Sequence, residues 1–169
     1  VIETGRCDFV TDLAAELPLQ AIADIMGVPQ EERHLLFQWS NQMIGADDPE
    51  YQREEGSQED ATAAAAELYM YAADLRTKRV DDPRDDVVTK LINGEIDGDR
   101  LSEAEFDMLI LLLAVAGNET TRNATAHGMH ALLTNPEQFE LLKSDPDAHI
   151  ANTVEEILRW GSPVLHFRR

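Results

Sequence analysis

The sequence has a single cysteine, Cys7, in 169 residues. One cysteine excludes an intramolecular disulfide and any CxxC-type metal site. Cations are scarce too: Lys and Arg number 14 against 33 Asp and Glu, a formal net charge of -19. Such a balance repels nucleic-acid phosphates and anionic membrane surfaces, and it also serves as a plain solubilising surface. No hydrophobic run is long. MLILLLAVA, residues 108–116, falls far short of the ~20 residues a membrane-spanning helix needs. No signal peptide is visible, so a soluble cytoplasmic protein is the expectation. The chain opens on Val1 rather than Met, and HFRR closes it without a turn or tail. It reads as cut at both ends, a single partial domain over residues 1–169.

What is present reads helix after helix, so the fold class is mainly α with little strand. CDFV (7–10) suggests a short strand. TDLAAELPLQAIADIMG (11–27) keeps helical apolar spacing, with a bend expected at Pro18, which lacks an N–H. Gly27 suits the position just past the helix end, with Pro29 beyond. A second helix is expected from about 30 to 44, with Leu35, Leu36, Trp39 and Met43 inward. The acidic stretch 46–60 reads as a loop and, from its place between two helices, as a mobile substrate lid. Within it SQED (57–60) resembles a capping box opening an alanine-rich helix that ends near Val80. DDPRDD (81–86) breaks the chain, and a short helix follows at 87–93.

NGEIDGDRLSEAE (93–105) looks like a calcium loop, but the register fails. With Asn93, Glu95 and Asp97 as the first three ligands and Gly98 at the turn, Arg100 falls on the hydrophobic position and Ala104 on the bidentate glutamate. A tight turn at DGD is expected instead, then Ser102 capping a helix with Glu105 as its partner. That helix runs from about 103 to 134, apolar on nearly all sides over 106–116, as a buried central helix would be. Asn135 and Pro136 end it. PEQFELLKS and a last helix from near Asp147 to Gly161 follow.

Two motifs carry chemistry. Within AGNETT (116–121), Gly117, Asn118, Glu119, Thr120 and Thr121 are poor choices for a helix interior, one of them a carboxylate, and they interrupt a leucine-rich helix. Gly117 permits close approach to the backbone, and Thr120 can turn its hydroxyl to the preceding turn or release it. Glu119 is costly in an apolar bundle without a partner. A local distortion around a polar pocket is one reading. A helix passing from core to surface, with Glu119 solvated, is the other. The second motif, VEEILRW (154–160), places Glu156 and Arg159 three apart on one helix face. Alone it is an ordinary exposed ion pair.

Together, in this order, the motifs resemble the cytochrome P-450 family. AGNETT matches its central-helix pattern, and Glu156 to Arg159 matches its ExxR signature. RWGSPVLHFRR and CDFVTDLAAELPLQAIADIMGVP are similar to the corresponding bacterial segments, so the resemblance covers essentially the whole chain. It implies the helical central portion of that fold, with the long central helix crossing the distal face of a haem b. Ala116 and Gly117 would leave room for dioxygen and substrate. Thr120 would stand at the oxygen groove and help deliver protons that Glu119 relays from solvent. Glu156 and Arg159 would be a structural pair. Val164 would contact substrate, as would Ala116, and Arg168 would pair with a haem propionate, or Arg169 if the alignment slips by one.

The family's iron is held by a cysteine thiolate in a glycine-rich loop after ExxR. Cys7 precedes both motifs and reads as a small buried residue, so no metal ligand is assigned here. The 169-residue chain alone is therefore expected to be inactive and to lack a thiolate-type ferrous–CO band. The resemblance implies a monooxygenase that inserts one oxygen atom of O2 into a C–H bond of a hydrophobic small molecule. Its electrons would come from NAD(P)H through a ferredoxin and ferredoxin reductase. AGNETTRN with RWGSPV is similar to actinobacterial hydroxylases of sterol side chains and methyl-branched lipids. The rivals are a non-catalytic all-α binding module and a degenerate family remnant.

Overall fold

The computed structural model describes residues 2–45 and 57–164. Seven α-helices lie among them: α1 Glu16–Met26, α2 Arg33–Ile44, α3 Ser57–Asp81, α4 Val87–Asn93, α5 Glu103–Thr134, α6 Pro136–Ser144 and α7 Pro146–Gly161. There is no strand among the described residues, only an isolated bridge between Ile96 and Asp99. Contacts gather them into two compact units, one within Leu19–Asn118 and one drawn from Val1–Pro18 and Glu119–Arg169.

The first unit holds a hydrophobic core built by helical spacing. On α3, Ala61, Ala64, Leu68, Ala72 and Leu75 are buried, which is one face repeating every three or four residues. On α5, Phe106, Ile110, Ala114 and Asn118 form a buried row at four-residue steps. Each large side chain so buried contributes about 1.5–3 kcal/mol. In its N-terminal half α5 is not covered all round: Met108 and Leu112 of the same apolar run are exposed. Trp39 of α2 packs against Tyr71 of α3 with ring centroids 5.5 Å apart. Each polar tip finds a carboxylate, Trp39 Nε1 donating to Glu67 at 2.6 Å and the Tyr71 hydroxyl to Glu32 at 2.7 Å. Burial first, and Glu32 beside it, hold the Tyr71 hydroxyl far above its ordinary titration range.

The helix ends follow the sequence signals closely. Gly27 takes φ +70°, with Val28 N–H reaching Ala23 O at 2.8 Å and Gly27 N–H reaching Asp24 O at 3.1 Å. That double bond is the Schellman closure, and glycine carries the left-handed residue at low cost. Its carbonyl accepts from Arg79, which also donates to Asp86 Oδ2 at 2.6 Å. Arg79 and Asp86 are a buried ion pair that continues the α3 core row by one further step. Asp97 and Gly98 both have positive φ in the DGD turn, as a type I′ turn requires. Ser102 and Glu105 form a reciprocal capping box, with Ser102 N–H to Glu105 Oε2 at 2.9 Å.

In the second unit the expected strand at 7–10 is not formed. Residues 6–8 are irregular, and a π-helical turn, Val10–Ala14, follows. Asp8 decides this: its Oδ1 accepts from Val10 N–H at 2.9 Å and Thr11 N–H at 3.1 Å, which starts a helix instead. Ala15 N–H bonds Val10 O at 2.9 Å, five residues back. The wide turn lies just before Pro18, whose missing N–H falls in the first turn of α1 and costs little there. Cys7, expected to be buried, is exposed. α7 lies close against α5, since a Cβ on Gly128 would collide with Ile157.

Candidate functional site

Residues 116–121 do not distort α5. The helix is unbroken α from Glu103 to Thr134. Poor helix formers cost at most about 1 kcal/mol each, which a helix buried along one face absorbs. Gly117 has a packing reason in the first unit: a Cβ there would lie 3.0 Å from Ile22 Cδ1 of α1. Asn118 is buried, with Nδ2 donating to Ser40 Oγ at 3.4 Å and Oδ1 left without a hydrogen bond among the described residues.

Glu119 is not solvated. Its side chain is 14% exposed and is paired through Oε1 with Arg122, itself 12% exposed. Asn123 Nδ2 also reaches Oε1, at 3.4 Å. Oε2 is buried with no hydrogen-bond partner among the described residues. Arg122 and Asn123 were not expected from the sequence, although ETTR carries the same Glu-x-x-Arg spacing as EILR.

The contrast with the second motif is one of environment. Arg159 donates to Glu156 through Nε and Nη2, at 2.7 and 2.6 Å. They are 60% and 65% exposed. Arg159, by its hydrogen bond, holds the Glu156 carboxyl below its ordinary range.

Within the second unit a cavity of about 610 Å³ opens between the C-terminal half of α5 and α7. Thr120, Thr121, Ala124, Thr125, Met129, Ile157, Leu158 and Val164 are among its lining residues. The structure thus brings Thr120 and Val164, far apart in sequence, to one largely aliphatic space. A neighbouring cavity of about 460 Å³ is lined by Gly128, His149, Glu156 and Trp160. Neither Ala116 nor Gly117 lines either space.

Helical geometry explains how Thr120 relates to Glu119. Residues 119, 122 and 123 share one face of α5, and 121, 124 and 125 share the opposite face. Thr120 stands on the border between them. It is the cavity-lining residue next in sequence to the buried carboxylate.

Arg168 lies outside the described residues, as does Arg169. Of the acidic stretch 46–60, residues 46–56 lie outside them, and 57–60 belong to α3. Among the described residues there is no cluster of three or more potential metal ligands and no helix long and apolar enough to cross a membrane.

No family model matches the chain. Individual proteins do. It is 51% identical over 167 residues to a steroid C26-monooxygenase of Rhodococcus jostii, covering 99% of this chain and 34% of that protein. It is 41% identical over 164 residues to a methyl-branched lipid omega-hydroxylase of Mycobacterium tuberculosis, covering 97% of this chain and 38% of that protein. Among solved structures it resembles a Mycobacterium marinum cytochrome P450 in complex with pseudoionone, with TM-score 0.85 and 37% identity over 91% of this chain and 37% of that one. It also resembles the Bacillus subtilis bacillaene polyketide synthase cytochrome P450, with TM-score 0.85 and 37% identity over 97% and 40% of the two chains. The chain therefore spans a little over a third of the length of the curated relatives it matches.

Proposed function

We propose that this chain, which belongs to the cytochrome P450 family, is the central helical part of a haem-thiolate monooxygenase acting on an apolar sterol or methyl-branched lipid. The observation that carries this reading is the aliphatic cavity lined by both Thr120 and Val164, with a buried carboxylate next to Thr120 on the same helix. The names of the relatives supply the substrate class.

The cavity lining suits a haem approached from its distal side. Its walls are mostly aliphatic, with threonine hydroxyls among them. No cysteine lines it among the described residues, and the thiolate would come from elsewhere in the full-length protein. When bound, haem supplies the reductive activation of O2 that lets one oxygen atom enter a C–H bond. Thr120 and Ala116 would lie against its distal face, with Gly117 one residue on, and Arg168 would pair with a propionate.

This chain's own residues then divide the work. The aliphatic walls exclude water and hold an apolar substrate, with Val164 as a contact. Glu119 and Thr120 move protons: the carboxylate takes one from the solvent side, and the hydroxyl accepts it and passes its own onward into the cavity. Glu156 and Arg159 brace α7 and touch no substrate. Electrons would come from NAD(P)H through a ferredoxin and its reductase, in the cytoplasm.

Substrate class is tested by titrating the full-length haem protein with cholestenone and with phytanic acid. A saturable shift of the haem from low to high spin is expected with at least one of them. No shift with any sterol or branched lipid would defeat the substrate assignment.

A further inference from the structure

We propose that Arg122 is a positioning residue for the proton carrier: it clamps one oxygen of Glu119 so that the other, Oε2, is the atom that takes and gives the proton. The proposal rests on the monooxygenase reading of Glu119 and Thr120 above.

Three observations support it. Glu119 Oε1 is held by Arg122 Nη2, with Asn123 Nδ2 at 3.4 Å on the same oxygen. Oε2 is buried and has no hydrogen-bond partner among the described residues. The pair is almost enclosed, at 14% and 12% exposure, whereas the same spacing at Glu156 and Arg159 gives a pair 60% and 65% exposed.

Physics makes these connected. A carboxylate has two acceptor oxygens, and leaving one buried without a donor carries an uncompensated desolvation cost. A surface pair would meet that need with water. Here the arrangement is asymmetric, one oxygen engaged by donors and one open. An open acceptor in a dry place is what a group needs if it is to accept a proton in one step and release it in the next. The clamp fixes the carboxylate against rotation, because a guanidinium binds in the plane of its donors and loses little freedom in doing so. Without Arg122 only the long contact from Asn123 still holds Oε1, and the carboxylate turns more freely. The step itself conserves the proton: a water on the solvent side gives one to Oε2, and because Oε2 makes no hydrogen bond among the described residues it passes one on through a bridging water to the Thr120 hydroxyl, which gives up its own proton on the cavity side.

The test uses the full-length haem protein with its redox partners and a substrate that shifts its spin state. Arg122→Met keeps the aliphatic stem and removes the donors. Arg122→Lys keeps a charge and a donor. Product formed per NAD(P)H consumed, and the solvent deuterium isotope effect on product formation, are measured beside Glu119→Gln. We expect Arg122→Met to lose coupling about tenfold and to raise the isotope effect as Glu119→Gln does, with substrate affinity unchanged. Arg122→Lys should restore most of the coupling. If Arg122→Met fails to take up haem, Arg122→Gln takes its place with the same readouts: lost coupling with a raised isotope effect supports the clamp, and wild-type values for both overturn it. If Arg122→Met keeps wild-type coupling and isotope effect while Glu119→Gln loses them, Arg122 is only a brace and the proposal is overturned. If Glu119→Gln and Thr120→Ala are themselves fully coupled, the underlying proton-delivery reading has failed instead.

Discussion

Thr120→Ala in the full-length enzyme is expected to keep consuming O2 and NAD(P)H while product per NAD(P)H falls by at least about tenfold, with hydrogen peroxide taking up the difference. The reason is positional. Four threonines, at 120, 121, 125 and 153, line the α5–α7 cavity. Of the four, position 120 is the one next to Glu119 in the chain, so its hydroxyl is the one the proposed path would use. Removing it leaves the cavity apolar and roomy, so substrate should still bind. What would be lost, on the proposed path, is the hydroxyl that hands the proton to the cavity. Thr121→Val is the control: it alters the same cavity wall away from the Glu119 face, and coupling should stay near the wild-type value. Loss of coupling in both variants to the same extent would point to cavity shape rather than proton delivery. In a non-catalytic binding module Thr120→Ala would do little beyond a small change in stability.

The second large effect concerns the frame. Arg79→Met should destabilise the protein by about 3–5 kcal/mol, because it leaves the Asp86 carboxylate buried without its cation. Both side chains are almost fully buried, and Arg79 also donates to the Gly27 carbonyl that ends α1. One guanidinium therefore ties α3, the start of α4 and the end of α1. Gly27→Ala should be severe as well, since a Cβ there would run into the Asp86 carboxylate and the backbone is at φ +70°. Burial is the largest single influence on Asp86 and pushes its carboxyl upward, but hydrogen bonds from Thr89 N–H, Arg79 and the Thr89 hydroxyl together carry it below its ordinary range. The folded carboxyl thus binds its proton less readily than the unfolded one. Its stabilisation is present above about pH 4 and is lost as pH falls through the lower folded value. Urea unfolding midpoints measured from neutral pH downward should show the acid loss in the wild type and a shallower acid limb in Asp86→Asn. An Arg79→Met midpoint equal to wild type would contradict the buried-pair account.

Much of this architecture was legible locally. The capping box at Ser102 and Glu105, the left-handed Gly27, the DGD turn and the span of α5 each depend on residues within a few positions of one another. The strand expected at 7–10 failed on a local detail, the Asp8 carboxylate that caps the following turn. Burial was harder. Glu119–Arg122 and Glu156–Arg159 have the same spacing, yet one is enclosed and the other lies in solvent, and nothing within either tetrapeptide says which. The deeper miss was the Arg79–Asp86 pair. A signal existed, since Arg79 continues the row Leu68, Ala72, Leu75 by another helical step, but an arginine on a core row reads as the row's end unless its partner is known. The cavity joining Thr120 to Val164 depends on how α7 returns against α5, which no periodicity encodes.

On the proposed function, the cavity beside Thr120 is the oxygen side of a monooxygenase. The full-length protein, supplied with ferredoxin, reductase and NADH, should be run on a spin-shifting sterol under ¹⁸O2, with the product read by mass spectrometry. One labelled oxygen atom per hydroxylated product, and none from labelled water, is the predicted result. No hydroxylated product with any sterol or branched lipid, or a hydroxyl whose oxygen comes from water, would contradict it.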